Sequence, residues 1–357
     1  MSVLLAARGV LPPHTYPQQR ITEELADVLL GPDAAPADHA LLRKVHASAG
    51  VRTRHLVLPV EAYRDLGGFT ASNDVFVEAA LDLAERAVRE AVAAAGLRLR
   101  DVDVLMSTTV TGVAVPSLDA RLVHRLGLRE DVRRLPVFGL GCVAGAAGVA
   151  RLHDTVRGEP GAVAVLVAVE LCSLTFQRDD TSRANLVASG LFGDGAAAVV
   201  LRGSGGDDDA PPGAPRVLAT RSRLYPDTER TMGWDIGASG FRIVLDPGVP
   251  DLVRAHLGAD VKGFLADHDL DVADVSTYVA HPGGPKVLLA VQEALGLDDD
   301  ALALTWRSLA QVGNLSSVSV LQVLEATLAE RTPPPGSTGL LLAMGPGFCA
   351  ELVLLRW

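Results

Sequence analysis

The chain has 357 residues, enough for one large domain or two fused ones, since single cores stop growing near about 250–300 residues. Its residues are 48% hydrophobic and 21% charged, which supplies a sizeable core and argues against disorder. The formal net charge of −11 argues against a nucleic-acid surface, because phosphate binding needs clustered Lys and Arg.

Along the chain, the opening "MSVLLAARGVLPPHTYP" has too short an apolar run for a secretion signal and no cleavage pattern. No stretch is long and apolar enough to span a bilayer, so stable membrane insertion is not expected. The run "VEAALDLAERAVREAVAAAG" from Val77 reads as an amphipathic helix closed by Gly96. The runs "VDVLMST", "AVAVLVAVEL", "AAAVVLR", "STYVAH", "TGLLLAMG" and "AELVLLRW" read as strands covered on both faces. Their alternation with helical segments predicts α/β layering. Residues 202–216, "RGSGGDDDAPPGAPR", read as a surface loop between strands, and "RTPPPGST" from Arg331 as a second break. Cys142, Cys172 and Cys349 are odd in number and lack zinc-ligand spacing, so a reduced, cytoplasmic compartment and no metal site are expected.

The two halves echo one another. "VDVLMSTT" is followed by "GCVAGAAGVARL", "AVLVAVEL" and "AAAVVLR"; "VSTYVAHP" is followed, at similar spacing, by "GNLSSVSVLQVL", "TGLLLAMG" and "AELVLLRW". Gly141-Cys142 and Gly313-Asn314 thereby fall at equivalent strand-to-helix turns. Cys142 opens a helix, where free N–H groups favour a thiolate. His281 ends a strand that "PGGP" stops. Asn314 opens a helix behind a glycine. Singly, each has an ordinary explanation: a small buried residue, a hydrogen-bonding histidine, an N-cap. Together they sit where the reacting groups of open α/β sheets gather, at strand carboxyl ends.

The stretches "GCVAGAAGVARL", "LFGDGAAAVV", "AHPGGPKVL", "VGNLSSVSVL" and "MGPGF", in this order, resemble the type III polyketide synthases. These are the chalcone-synthase-like members of the thiolase-fold condensing enzymes, and the resemblance runs from about Leu41 to the C-terminus. It implies a thiolase-like α/β fold with a duplicated five-layered αβαβα core, residues 1–210 carrying the cysteine and 211–357 the histidine and asparagine. It implies a homodimer acting on CoA thioesters, an acyl-CoA starter and malonyl-CoA, with no further cofactor. By the same resemblance Cys142 is the nucleophile, His281 keeps its sulfur ionised, and Asn314 is its partner. Two donors aimed at a thioester enolate lower the decarboxylation barrier. Phe192 and Phe241 match the gatekeepers, and Thr111, Cys172, Thr175, Met232 and Ser316 match cavity positions. Lys44, Arg52, Arg54, Gly283 and Gly284 match the CoA entrance, where Ser48 replaces a lysine of the plant pattern.

The stretches "MGWDIGASGF", "PPHTYPQ" and "GFCAELVLLRW" look more like bacterial alkylresorcinol and alkylpyrone synthases, which take fatty acyl starters. The alternative is malonyl-CoA priming toward a tetrahydroxynaphthalene. Enzymes making that product usually carry a tyrosine around Met232, and none occurs between Tyr225 and Gly240. A single condensation of the ketoacyl synthase III kind is the third reading; those enzymes more typically show His-Gln-Ala-Asn where this chain has "HPGGP".

Overall fold

Runs of Val, Leu and Ala form the strands, because β-branched and apolar side chains suit a pleated surface covered on both faces. The computed structural model describes residues 1–31, 33–178, 180–206 and 210–357. Its strands are β1 (Ser2–Val10), β2 (His14–Pro17), β3 (Thr53–Leu56), β4 (Val104–Thr109), β5 (Arg133–Phe138), β6 (Val163–Leu171), β7 (Asp194–Gly203), β8 (Arg216–Leu224), β9 (Met232–Gly237), β10 (Gly240–Leu245), β11 (Val275–Ala280), β12 (Thr338–Gly345) and β13 (Cys349–Arg356). The helices are α1 (Gln18–Leu30), α2 (Pro36–Ser48), α3 (Gly68–Ala94), α4 (Leu118–Leu126), α5 (Ala144–Val156), α6 (Arg183–Leu191), α7 (Val249–Ala266), α8 (Pro285–Leu295), α9 (Ala303–Val312) and α10 (Ser319–Glu330).

Among the described residues, nine strands share one sheet in the order β11-β12-β13-β8-β1-β7-β6-β4-β5. Both halves use the same pairing. β4 lies parallel to β6, β6 antiparallel to β7, and β7 antiparallel to β1. β11 lies parallel to β12, β12 antiparallel to β13, and β13 antiparallel to β8. A short contact of β1 with β8, Ser2 opposite Val217 and Val3 opposite Arg216, joins the halves.

Strand alternation divides the core into three. Val163, Val165, Val167 and Val169 of β6 face the cluster that includes α3, while Ala164, Leu166 and Ala168 face the central helices. In β12, Leu341 and Ala343 join that central cluster, and Leu340 and Leu342 join one with α7 and α8. α5 packs on β6, β7, β12 and β13, and α10 on β1, β7, β11 and β12. The result is helix, half-sheet, central helix pair, half-sheet, helix: five layers. Burying each Val or Leu stabilises by about 1.5–3 kcal/mol, so the duplicated apolar pattern suffices to set them.

The expected amphipathic helix begins earlier, at Gly68, and Gly96 follows its Ala95 cap at φ +70°. The connection from β7 to β8 runs over residues 204–215, so Arg202, Gly203 and Arg216 of the expected loop belong to the strands; Asp207, Asp208 and Asp209 lie outside the described residues. The break at Arg331 lies between α10 and β12. Among the described residues no helix is long and apolar enough to cross a membrane.

Candidate active site

Cys142, His281 and Asn314 come together on one cavity of about 410 Å³. Cys142 and His281 follow strands, as expected, whereas Asn314 sits in a helix-to-helix turn, between α9 and α10, rather than at the expected strand end. Cys142 lies in the tight turn Gly141–Val143 that runs into α5. Gly141 takes φ +57°, and a Cβ there would stand 2.6 Å from the Pro346 ring, so only glycine fits. His281 follows β11; its backbone N–H donates to Leu342 O at 3.0 Å, and its own carbonyl accepts from Gly283 N at 2.9 Å. Asn314 follows Gly313, at φ +78°, where a Cβ would stand 2.7 Å from Leu191 O.

Asn314 is tied to the segment carrying Phe192. Its N–H donates to Leu191 O at 2.9 Å, and its carbonyl accepts from Gly193 N at 3.0 Å. Its side-chain Oδ1 accepts the Ser316 N–H at 2.8 Å. Cys142 Sγ lies 3.7 Å from Ser316 Oγ.

The electrostatics depart from the expectation of a preformed thiolate. Desolvation pushes the Cys142 thiol up to about 12, against hydrogen bonds from Ser316 and Asn314 and with the Glu170 charge adding to the rise. Burial pushes His281 down to about 3, and its Nδ1 is buried without a hydrogen-bond partner. The site therefore favours a neutral thiol and a neutral imidazole; burial outweighs the helix N-terminus.

Glu170, buried near the end of β6 behind the cavity wall, holds the lining residue Thr111 and is missed by motif reading. It accepts from Ser317 Oγ (2.5 Å), Thr111 Oγ1 (3.0 Å) and Val110 N (3.1 Å). A lone carboxylate inside the apolar run "AVAVLVAVEL" is the signal that marks it.

The other expected residues divide. Phe192, Thr111, Cys172, Met232, Ser316, Gly283 and Gly284 all line the Cys142 cavity. Thr175 lines neither this cavity nor its neighbour, because its hydroxyl donates back to Cys172 O at 2.7 Å and packs under the turn. Phe241 lines the neighbouring cavity of about 350 Å³, held edge-on by Phe69 with ring centroids 5.4 Å apart. Thr111 borders both cavities. Trp234, two residues beyond Met232 on β9, is the aromatic side chain that hairpin gives the Cys142 cavity.

At the entrance, Lys44 is exposed one helical turn from the lining residue Ser48 on α2, and Arg52 is exposed after Gly50. Arg54 does not belong there. It is 0% exposed, its guanidinium turned inward onto Gln18 and two backbone carbonyls, so it cannot meet a CoA phosphate. Two cations without a place in the motif reading, Arg183 at the start of α6 and Lys286 at the start of α8, line the mouth exposed. Lys286 directly follows the Gly283-Gly284-Pro285 turn, which is the signal that could have found it. Among the described residues no cluster of three or more His, Cys, Asp or Glu is placed to hold a metal ion.

Residues 1–206 match the N-terminal domain of chalcone and stilbene synthases, and residues 217–357 match the C-terminal domain. The chain belongs to this family: it is a type III polyketide synthase of thiolase-like fold, an acyltransferase of the decarboxylative Claisen type. It is 60% identical over 352 residues, 99% of this chain and 92% of the relative, to a 1,3,6,8-tetrahydroxynaphthalene synthase of Streptomyces peucetius subsp. caesius. It is 32% identical over 360 residues, 100% of this chain and 99% of the relative, to a phloroglucinol synthase of Pseudomonas fluorescens. The crystal structure of the 1,3,6,8-tetrahydroxynaphthalene synthase of Streptomyces coelicolor superposes with a TM-score of 0.92 at 33% identity, covering 99% of each chain. Among these relatives, the synthases of Streptomyces peucetius and Streptomyces coelicolor are named for tetrahydroxynaphthalene, the product of the alternative reading.

Proposed function

We propose that this enzyme makes 1,3,6,8-tetrahydroxynaphthalene from malonyl-CoA alone, as starter and extender. The observation that carries the reading is the 60% identity, over 99% of this chain, to a synthase of that product. Ten ring carbons at two per malonyl unit require five units, each losing CO2.

Cys142 attacks the starter thioester, and the CoA sulfur leaves with a proton. His281 takes the thiol proton as the acyl group arrives and returns it to the leaving sulfur. An incoming malonyl-CoA then loses CO2, and His281 and Asn314 donate hydrogen bonds to the enolate oxygen. The enolate carbon attacks the Cys142 thioester carbonyl; the C–C bond forms and the Cys142 thiolate leaves. His281 needs opposite tautomers for its two tasks, and the unpartnered Nδ1 leaves both accessible. The largely apolar wall, with Val187, Leu191, Ile243 and Met344, keeps water from the reactive chain.

Arg183, Lys286 and Lys44 meet the CoA phosphates, with the Gly283-Gly284 backbone beside them. Residues 1–210 and 211–357 are read as the two halves of the duplicated core. The enzyme acts as a cytoplasmic homodimer. Its three free cysteines fit a reducing compartment. Edge strand β5 and the exposed Val113, Val115 and Phe138 supply an apolar surface for a second copy. Light scattering that gave the mass of one chain would remove the dimer.

The experiment is product analysis with malonyl-CoA alone and with a series of fatty acyl-CoA starters added. Tetrahydroxynaphthalene, formed from malonyl-CoA alone and undiminished by the added starters, is expected. Alkylpyrones or alkylresorcinols in its place would restore the acyl-starter reading.

A further inference from the structure

Arg54 is the bulkiest fully buried side chain among the described residues, and its hydrogen bonds go to neutral acceptors. Nε donates to Gln18 Oε1 at 2.9 Å, and Nη1 donates to Ser189 O at 2.7 Å and Phe192 O at 2.8 Å. Nη2 is buried with no partner. The buried Asp194 carboxylate favours the Arg54 charge from beyond hydrogen-bond reach, and a buried guanidinium held this way adds little stability over an apolar side chain of similar volume.

What it touches is the bridge beneath the reacting groups. Phe192 pairs with Asn314 across that bridge. The Arg54 stem lies against the other side, since a Cβ at Gly313 would stand 3.4 Å from its Cγ and Cδ. Its own strand is stitched to the chain just before Gly313: Arg52 N donates to Ala310 O at 2.7 Å, and Thr53 Oγ1 donates to Gln311 O.

We propose that Arg54 is a positioning residue, which locks the Phe192 and Asn314 segments together and so aims the Asn314 amide at the enolate oxygen. This rests on the decarboxylating role given to Asn314 above. The planar fork matters: it reaches Gln18 and two carbonyls at fixed angles, which the single ammonium of lysine does not.

The test measures malonyl-CoA decarboxylation per alkylatable Cys142 for Arg54→Lys and Arg54→Met, each in the native sequence and beside Asn314→Ala. In the native sequence kcat falls on the order of 10–100-fold, as for a slightly misplaced catalytic group, with KM nearly unchanged. Beside Asn314→Ala the same changes cost less than about twofold, because the group they aim is gone. An equal loss in both backgrounds overturns the proposal, and so does a loss that vanishes once counted per alkylatable Cys142. If neither variant accumulates, Gln18→Leu removes the Nε acceptor; a smaller loss of kcat confined to the native background supports the proposal, and an unchanged kcat overturns it. Native enzyme that fails to decarboxylate malonyl-CoA at all would instead remove the functional reading.

Discussion

Replacing Asn314 by alanine removes two separate interactions. Its Oδ1 accepts the Ser316 N–H at 2.8 Å, so that buried N–H loses its partner, which costs about 1–3 kcal/mol of stability. The same bond orients the amide: with the oxygen committed to Ser316, the NH2 end is left to donate into the cavity. Losing such a donor costs about 10²–10³ in rate, roughly 2.7–4 kcal/mol of barrier. Aspartate keeps the first interaction and removes the second. Asn314→Asp keeps the Ser316 bond but buries a carboxylate and puts an acceptor where the donor was, so it too loses stability and loses at least as much rate. The assay is conversion of malonyl-CoA to acetyl-CoA and CO2, per alkylatable Cys142, beside denaturant unfolding of each variant. Both variants should unfold at lower denaturant than the native enzyme, and decarboxylation should be native far above Ala, with Asp no faster than Ala. Native-rate decarboxylation by Asn314→Ala, or Asp outrunning Ala, would refute the reasoning.

With Cys142 held up at about 12 and His281 down at about 3, the thiol is protonated and the imidazole neutral across the neutral range. Iodoacetamide alkylation of the free enzyme should therefore climb roughly tenfold per pH unit from pH 7 upward; a plateau below pH 8 would reveal a preformed ion pair. Lys286→Ala and Arg183→Ala should each raise KM for malonyl-CoA by about 1.5- to 5-fold, as exposed charge contacts do, with kcat kept. That effect should fade at high salt and be absent with a malonyl thioester lacking the CoA phosphates; an effect surviving there contradicts phosphate contact. Cys172→Phe puts a ring into the Cys142 cavity, so chain growth should stop early and shorter pyrones replace the naphthalene in the product spectrum. An unchanged product spectrum would mean that this wall does not limit chain length.

The duplicated core was legible because each half repeats apolar strand runs and glycine turns at one spacing; Cys142 and Asn314 lead into the matching central helices α5 and α10, although Asn314 comes off α9 rather than off a strand. Strands β5 and β8 were not, because arginines interrupt their apolar pattern: β5 lies at the sheet edge and β8 is partly exposed. Arg54 was misread for a physical reason. Locally it is one of two alternating arginines near a lysine, while its acceptors, Ser189 and Phe192, come from a distant segment that only the fold brings close. Thr175 keeps the polar character of a cavity residue but spends its hydroxyl on the Cys172 carbonyl. Starter choice was not legible in residues 231–241 either. Met232 and Trp234 face the Cys142 cavity from one side of a hairpin, whereas Phe241 faces another cavity, so the stretch does not describe one pocket.

The most direct test is peptide mass spectrometry of enzyme quenched during turnover with isotope-labelled malonyl-CoA and no other acyl donor. Labelled acyl and polyketide groups should be found on Cys142, and on neither Cys172 nor Cys349. An unmodified Cys142 in enzyme that is making product, or label carried by another cysteine, would contradict the account.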